Sequence, residues 1–294
     1  MTDADRTGTV SWRMLLSETS ERLRDAQEAR WICEEVSGER GLDWLAAIDD
    51  PVGERGVSRL DALVSRRLTG EPLQYVLGSW PFRHLELFVD RRVLIPRPET
   101  EVVAGVAIDL ARASEGVRLV VDLGTGSGAI ALAVASELPI GEVDVWATDV
   151  SGDALDIARA NLAGMGRRGA CVRLAHGSWY DPLPPELAGG FDVVVSNPPY
   201  VMTHDPLLSA EVVGWEPAVA LFGGVDGLDC VRVIVAGASV WLRPGGHLVV
   251  EIGETQGRAA AELARQSGLD DIRIRPDLAG ADRVLVARRP VSGP

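Results

Sequence analysis

From residue 118 onward the chain alternates short apolar runs with helical stretches, and that alternation leaves few folds open. The runs at 118–121, 143–148, 171–174, 191–195, 247–252, 271–275 and 284–287 are rich in Val, Leu and Ile. Near-continuous apolar strands are buried on both faces, as in a parallel sheet with helices on each side. Helical stretches at 129–137, 151–163, 228–241 and 255–267 separate most of them. Only a short link, 276–282 with Gly280, joins the last two runs, which predicts a terminal hairpin with one antiparallel strand. The expectation is an α/β domain with a seven-stranded sheet.

The region before it has a different texture. Trp12, Leu15, Leu16, Thr19 and Leu23 recur at helical spacing, as do Ala29, Ile32, Cys33 and Val36 before Ser37-Gly38. A third run, Leu60, Leu63, Val64 and Leu68, ends at Gly70-Glu71-Pro72. These predict a small all-helical domain over residues 1–74. Aromatics and partial alternation predict a hairpin linker over 75–96. The second domain then spans 97–294, opening on a helix near Pro98 with Glu99 and Glu101 in its first turn.

Two loops of that second domain carry chemistry. Asp122-Leu123-Gly124-Thr125-Gly126-Ser127-Gly128 ends the first strand and opens a helix. Glycines let the backbone approach a ligand there, and the helix start offers unpaired N–H groups. With Ala129 last, the loop reads as a dinucleotide fingerprint; with Asp122 first, as an S-adenosylmethionine loop. Asp149, ending the second strand, suits either, because an acid there can hold the ribose hydroxyls of any adenosine. The loop alone does not decide.

Asn197-Pro198-Pro199-Tyr200 ends the fourth strand and faces the same crevice. An amide or amino nitrogen is a poor nucleophile because its lone pair is delocalised. Two acceptors that hold its N–H groups can turn that lone pair toward an electrophilic methyl. Asn197 offers a side-chain carbonyl, and Pro198 a backbone carbonyl whose direction the proline rings fix. Tyr200 offers a flat face for a planar group. Catalysis would come from positioning and oriented dipoles rather than from a strong base.

Composition excludes several alternatives. With 46% hydrophobic and 24% charged residues in 294, the chain is neither disordered nor a disulfide miniprotein. All 29 cationic residues are Arg, so lysine Schiff-base and Walker-lysine chemistry are excluded. A net charge of -14 argues against broad attachment to nucleic acid or anionic lipid. Cys33, Cys171 and Cys230 are isolated and the four histidines are scattered, so free thiols and no metal are expected. The acidic N-terminus lacks an export signal, and no apolar run of about 18 residues could span a membrane. A cytoplasmic protein is expected.

Together, residues 124–128, Asp149 and residues 197–200 resemble the nitrogen-directed class I methyltransferases. Within these the chain resembles the peptide-chain release factor glutamine methyltransferases, the HemK/PrmC family. The likeness extends to residues 66–73, to Leu94-Ile95-Pro96-Arg97-Pro98-Glu99-Thr100-Glu101, and to residues 215–221 and 223–228. It implies a Rossmann-like methyltransferase domain behind a helical substrate-recognition domain, and S-adenosylmethionine as donor. The implied acceptor is the glutamine of the Gly-Gly-Gln loop in class I peptide chain release factors. By resemblance, Asp122, Gly124, Thr125, Gly126, Ser127, Gly128, Asp149, Trp179 and Asn197 would bind cofactor. Asn197, Pro198, Pro199 and Tyr200 would bind substrate, with Asn197, Pro198 and Tyr200 catalytic. Glu99 and Thr100 would line the cofactor's methionine end. The competing readings are an amino-methyltransferase of a nucleic-acid base or another protein glutamine, an NAD-dependent oxidoreductase, and a non-enzymatic release-factor or ribosome adaptor.

Overall fold

The helical spacing of the first 70 residues becomes four helices, and a short fifth follows. In the computed structural model, which describes residues 10–204 and 214–291, these are α1 (Trp12–Leu23), α2 (Ala26–Ser37), α3 (Gly41–Ala47), α4 (Glu54–Leu68) and α5 (Leu73–Leu77). Residues 1–9 of the N-terminal segment, read above as no export signal, lie outside the described residues. The Asp25 side chain caps α2 by accepting the N–H groups of Gln27 and Glu28. Trp12, Leu15, Ile32, Cys33, Trp44, Leu60 and Val64 share one core. There Trp12 and Trp44 meet edge to face with ring centroids 5.8 Å apart. Burial pushes the Cys33 thiol up to about 12, so this cysteine is an inert core group.

This helical unit ends at Gly78, not at residue 74. Leu73, Tyr75 and Val76 turn inward as α5, which stops on Gly78 at φ 78°. A run of five residues with that pattern fits one turn of helix as well as a strand, so alternation misreads it. The hairpin is shorter than expected: β1 (Ser79–Phe82) pairs antiparallel with β2 (Leu85–Phe88). It belongs to the second unit, residues 79–294. Asn161 grips it by accepting the Phe88 N–H at 2.7 Å and donating to the Phe88 carbonyl at 3.0 Å. The Arg83 N–H donates to Glu101 at 3.0 Å and its guanidinium to Glu137 at 2.8 Å.

After α6 (Pro98–Ala113) come β3 (Arg118–Leu123), α7 (Ala129–Glu137), β4 (Val143–Asp149), α8 (Gly152–Gly164), β5 (Val172–His176) and β6 (Phe191–Ser196). The helix Asp229–Trp241, β7 (Leu242–Glu251), the helix Gly257–Gln266, β8 (Asp270–Pro276) and β9 (Asp282–Arg288) complete the unit. The sheet order is β5-β4-β3-β6-β7-β9-β8, with β5 to β7 parallel and β9 antiparallel to both β7 and β8. That is the seven-stranded sheet with a terminal hairpin. Val121, Leu123, Val194, Leu248 and Val250 pack on the helices 229–241 and 257–266 through Val231, Ile234, Val235, Ala260 and Ala264. Their strand neighbours Val120, Val193, Val195 and Val249 point to the other face and are also fully buried.

β7 starts five residues earlier than its apolar run, at Leu242. Pro244-Gly245-Gly246 hides the strand in the sequence, and the pairing with β6 shifts register there. The chain order reverses between β3 and β6, so the crevice beyond their carboxyl ends is where a ligand fits. Thr148, Leu123, Ser196 and Val250 lie side by side in one row across β4, β3, β6 and β7.

Candidate active site

The glycine loop leaves β3 with Gly124, Gly126 and Gly128 at φ 71°, 57° and 86°. Its first two N–H groups, on Gly124 and Thr125, both donate to the Thr148 carbonyl on β4, at 2.8 and 2.9 Å. α7 follows, buried from Ala129 to Ala135. Asp122 sits beneath the loop. Its Oδ2 accepts the Thr125 hydroxyl at 2.6 Å and the Ala131 N–H at 3.1 Å. Its Oδ1 is buried without a partner among the described residues. An unpaired buried acceptor costs about 1–3 kcal/mol, which a donor reaching this oxygen would relieve. Burial pushes the Asp122 carboxyl up to about 7.

Asp149 ends β4 and splints the loop. Its Oδ2 accepts the Gly126 N–H at 2.8 Å and its Oδ1 the Ser151 N–H at 2.9 Å. Each oxygen keeps a second lone pair for a hydroxyl donor. Burial raises this carboxyl as well. Trp179 takes a left-handed backbone at φ 46°, held by the Thr148 hydroxyl donating to its carbonyl at 2.8 Å. Its ring passes the loop so closely that a Cβ on Gly124 would lie 3.3 Å from it. Gly128, expected to bind cofactor, caps α7, and a Cβ there would meet Leu132 at 3.1 Å and Ala158 at 3.5 Å. It packs helices and does not line the cavity.

Asn197, just past β6, lies half-buried at the cavity wall. Its Nδ2 donates to Thr100 Oγ1 at 3.0 Å, and that hydroxyl donates to Glu251 Oε2 at 2.7 Å. The Tyr200 hydroxyl donates to Glu251 Oε1 at 3.2 Å. Glu251, at the end of β7, is wholly buried, and burial pushes its carboxyl up to about 7 against the pull of both hydroxyls. Sequence reasoning missed Glu251. The available signal was an acid closing an otherwise apolar strand run, at the carboxyl edge where ligands bind.

Two further motifs hold residues 197–200 in place. A Cβ on Gly227 would lie 2.2 Å from the Tyr200 carbonyl, so only glycine lets that segment close on the loop. Gln256 Nε2 donates to the same carbonyl at 3.0 Å. On the opposite side, Arg97 Nη2 lies 2.7 Å from both oxygens of the buried Glu216. Burial raises the Glu216 carboxyl, with Arg97 opposing. Pro96 and Pro217, the neighbours of that ion pair, line the cavity.

The cavity measures about 340 Å³. That falls within the roughly 300–1,000 Å³ of small-molecule sites. Of the residues expected at the site, Asp122, Gly124, Thr125, Gly126, Ser127, Asp149, Trp179, Asn197 and Pro199 line it, as does Thr100. Glu99, Pro198 and Tyr200 do not: Pro198 is buried and Tyr200 turns its hydroxyl to Glu251. Among the described residues, no group of three or more His, Cys, Asp or Glu could hold a metal ion. No helix among them is long and apolar enough to cross a membrane.

A family profile described as the PrmC N-terminal domain matches residues 14–78, ending where the helical unit ends. The methyltransferase small domain profile matches residues 108–213. The release factor glutamine methyltransferase of Xylella fastidiosa (strain Temecula1 / ATCC 700964) is 41% identical over 278 residues, covering 94% of this chain and 97% of that protein. The chain belongs to the release factor glutamine methyltransferase family. Another relative of that name, from Gloeobacter violaceus, is 44% identical over 94% of this chain and 95% of its own. A solved methyltransferase from Pyrococcus furiosus, 19% identical, shares the fold with a TM-score of 0.51 over 77% of this chain and 97% of that one.

The buried acids of this methyltransferase predict a pH-dependent stability. Asp122 and Glu251 are pushed up to about 7, and Asp149 and Glu216 are also raised. Each folded-state pKa lies above its unfolded value, so each contribution is fully present below the ordinary carboxylate range, and that of Asp122 and Glu251 is lost as pH rises through about 7. His247, lowered mainly by burial, acts in the opposite sense and is a single group. The Tm of the ligand-free protein should therefore fall between about pH 5 and pH 8. Asp122→Asn should flatten that fall; a wild-type Tm rising steadily across the window would contradict it.

Proposed function

We propose that this enzyme transfers a methyl group from S-adenosylmethionine to the side-chain amide nitrogen of the glutamine in the Gly-Gly-Gln loop of class I peptide chain release factors. The observation that carries the chemistry is the anchoring of Asn197. With Nδ2 committed to Thr100, its Oδ1 is a free acceptor at the cavity wall. The residues present fit the donor: an orphaned Asp122 oxygen and a spare lone pair on each Asp149 oxygen meet its ammonium and hydroxyl donors, and Trp179 offers a ring face. When bound, that donor supplies an electrophilic methyl on a sulfonium.

The chain's own residues do the rest. Asn197 Oδ1, at the cavity wall, holds one amide N–H group; the proposed second acceptor is the backbone carbonyl of Pro198, a buried residue outside the cavity lining, and the pair turns the nitrogen lone pair toward the methyl. The proline rings keep the second acceptor from swinging away. Tyr200, raised well above its ordinary range by burial, stays a neutral phenol and keeps its ring in place through Glu251.

A nucleobase acceptor would use the same pair of acceptors. Against it weigh the charge of -14 and the engagement of the paired arginines: Arg66 with Glu71, Arg67 with Glu28, Arg92 with Asp90 and Arg288 with Asp270. No direct nucleic-acid contact, no metal and a cytoplasmic site of action belong to this proposal. So does a recognition role for the helical unit.

The test uses labelled S-adenosylmethionine with intact release factor, a short Gly-Gly-Gln peptide, or duplex DNA and RNA. Label is expected on the glutamine amide, located by mass spectrometry, with a lower KM for the intact factor than for the peptide. Label on adenine and none on glutamine would overturn the substrate. Equal kcat/KM on peptide and intact factor would overturn the role of the helical unit.

A further inference from the structure

Resting on the reading that Asn197 holds the substrate amide, we propose that Thr100 and Glu251 are positioning residues that set which end of the Asn197 carboxamide faces the substrate. The argument is one of hydrogen-bond direction. Above about pH 7 the Glu251 carboxyl is ionised and only accepts. Glu251 receives Thr100 on one oxygen and Tyr200 on the other, at 2.7 and 3.2 Å. Thr100 has a single hydroxyl proton, and Glu251 takes it. Toward Asn197, 3.0 Å away, Thr100 Oγ1 can then only accept. Asn197 must present Nδ2 to it and Oδ1 to the cavity.

An inverted Asn197 would set oxygen against a hydroxyl lone pair and aim an NH2 group at the substrate's own NH2. The acceptor the reaction needs would become a donor. Thr100 is 3% exposed and Glu251 0%, so bulk water does not compete for these bonds.

The three groups come from separate elements: the first turn of α6, the end of β6 and the end of β7. Burying an acid in this place is costly, and no ion pair among the described residues offsets it. Arg283, the cation that acts on it electrostatically, bonds to Asp277 instead, and Glu99 acts with the same sign as Glu251. The task we assign to this buried carboxylate is to fix the direction of the Thr100 hydroxyl, which an apolar residue could not do.

Thr100→Val keeps the shape and removes the acceptor. Its kcat should fall on the order of 10- to 100-fold, as misorientation of a reacting group does. Thr100→Ser should restore most of kcat. In a double-mutant cycle by single-turnover kinetics, Thr100→Val should cost almost nothing further in the Asn197→Ala background, because it acts through Asn197. Glu251→Gln, which can satisfy Thr100 with either end, should lower kcat several-fold at unchanged KM.

Additive losses for Thr100→Val and Asn197→Ala, or an unchanged kcat in Thr100→Val, would overturn the proposal while leaving the role of Asn197 standing. An unchanged kcat in Glu251→Gln would remove Glu251 from it. Full activity in Asn197→Ala would instead defeat the underlying reading of the site.

Discussion

Asn197→Ala should reduce methyl transfer on the order of 10²–10³-fold, the loss typical of removing one preorganised electrostatic partner from a reacting centre. The substrate amide must be held by both N–H groups for its lone pair to point at the methyl. With Oδ1 gone, the amide can rotate and regain the conjugation that makes it inert. Cofactor affinity should change little, since the loop of residues 124–127, Asp122 and Asp149 remain intact. Isothermal titration with S-adenosylhomocysteine beside single-turnover kinetics separates the two quantities. Near-normal turnover would sink the mechanism; a parallel collapse of binding would move Asn197 from substrate to cofactor.

Gly126→Val should abolish measurable cofactor binding, a loss of more than about 100-fold. Two effects combine. The backbone at Gly126 has φ 57°, where a β-branched residue is strained by about 1–3 kcal/mol. A Cβ there meets nothing within 4 Å, because the loop borders the cavity, so the new methyl groups occupy ligand space. The strain would also loosen the Gly126 N–H from Asp149 and so the second acid from its place. Thermal shift with S-adenosylhomocysteine reads this directly. A ligand-induced Tm increase equal to that of wild type would place the cofactor elsewhere.

Much of this was legible in the sequence, for a physical reason. Continuous apolar strands, the short link before the last strand and the glycine loop are local constraints, each written in adjacent residues. The pairing of Asp149 with the loop was half legible: its place at the end of β4 was clear, its splinting of Gly126 was not, since that bond crosses strands. Glu251 was legible only as an acid closing an apolar strand run; its hydrogen bonds to Thr100 and Tyr200, 151 and 51 residues away along the chain, were not. The glycines of one loop read alike, yet Gly128 answers to Leu132 and Ala158 while Gly126 answers to open space. Helix α5 and the early start of β7 were misread where five residues carry too little periodicity and where Pro244-Gly245-Gly246 interrupts an apolar pattern.

The row formed by Thr148, Leu123, Ser196 and Val250 makes the sheet a ruler. The next residue along each strand is Asp149, Gly124, Asn197 and Glu251, so the loop, its splinting acid and the acceptor with its buried anchor stand on one line across neighbouring strands. Adjacent strands are about 4.8 Å apart, so the three intervals span roughly 14 Å, set by backbone hydrogen bonds rather than by side-chain packing. The graduation marks are single residues. A slip of one position in any of these strands would turn its mark to the opposite face of the sheet, leaving a folded protein that measures the wrong distance.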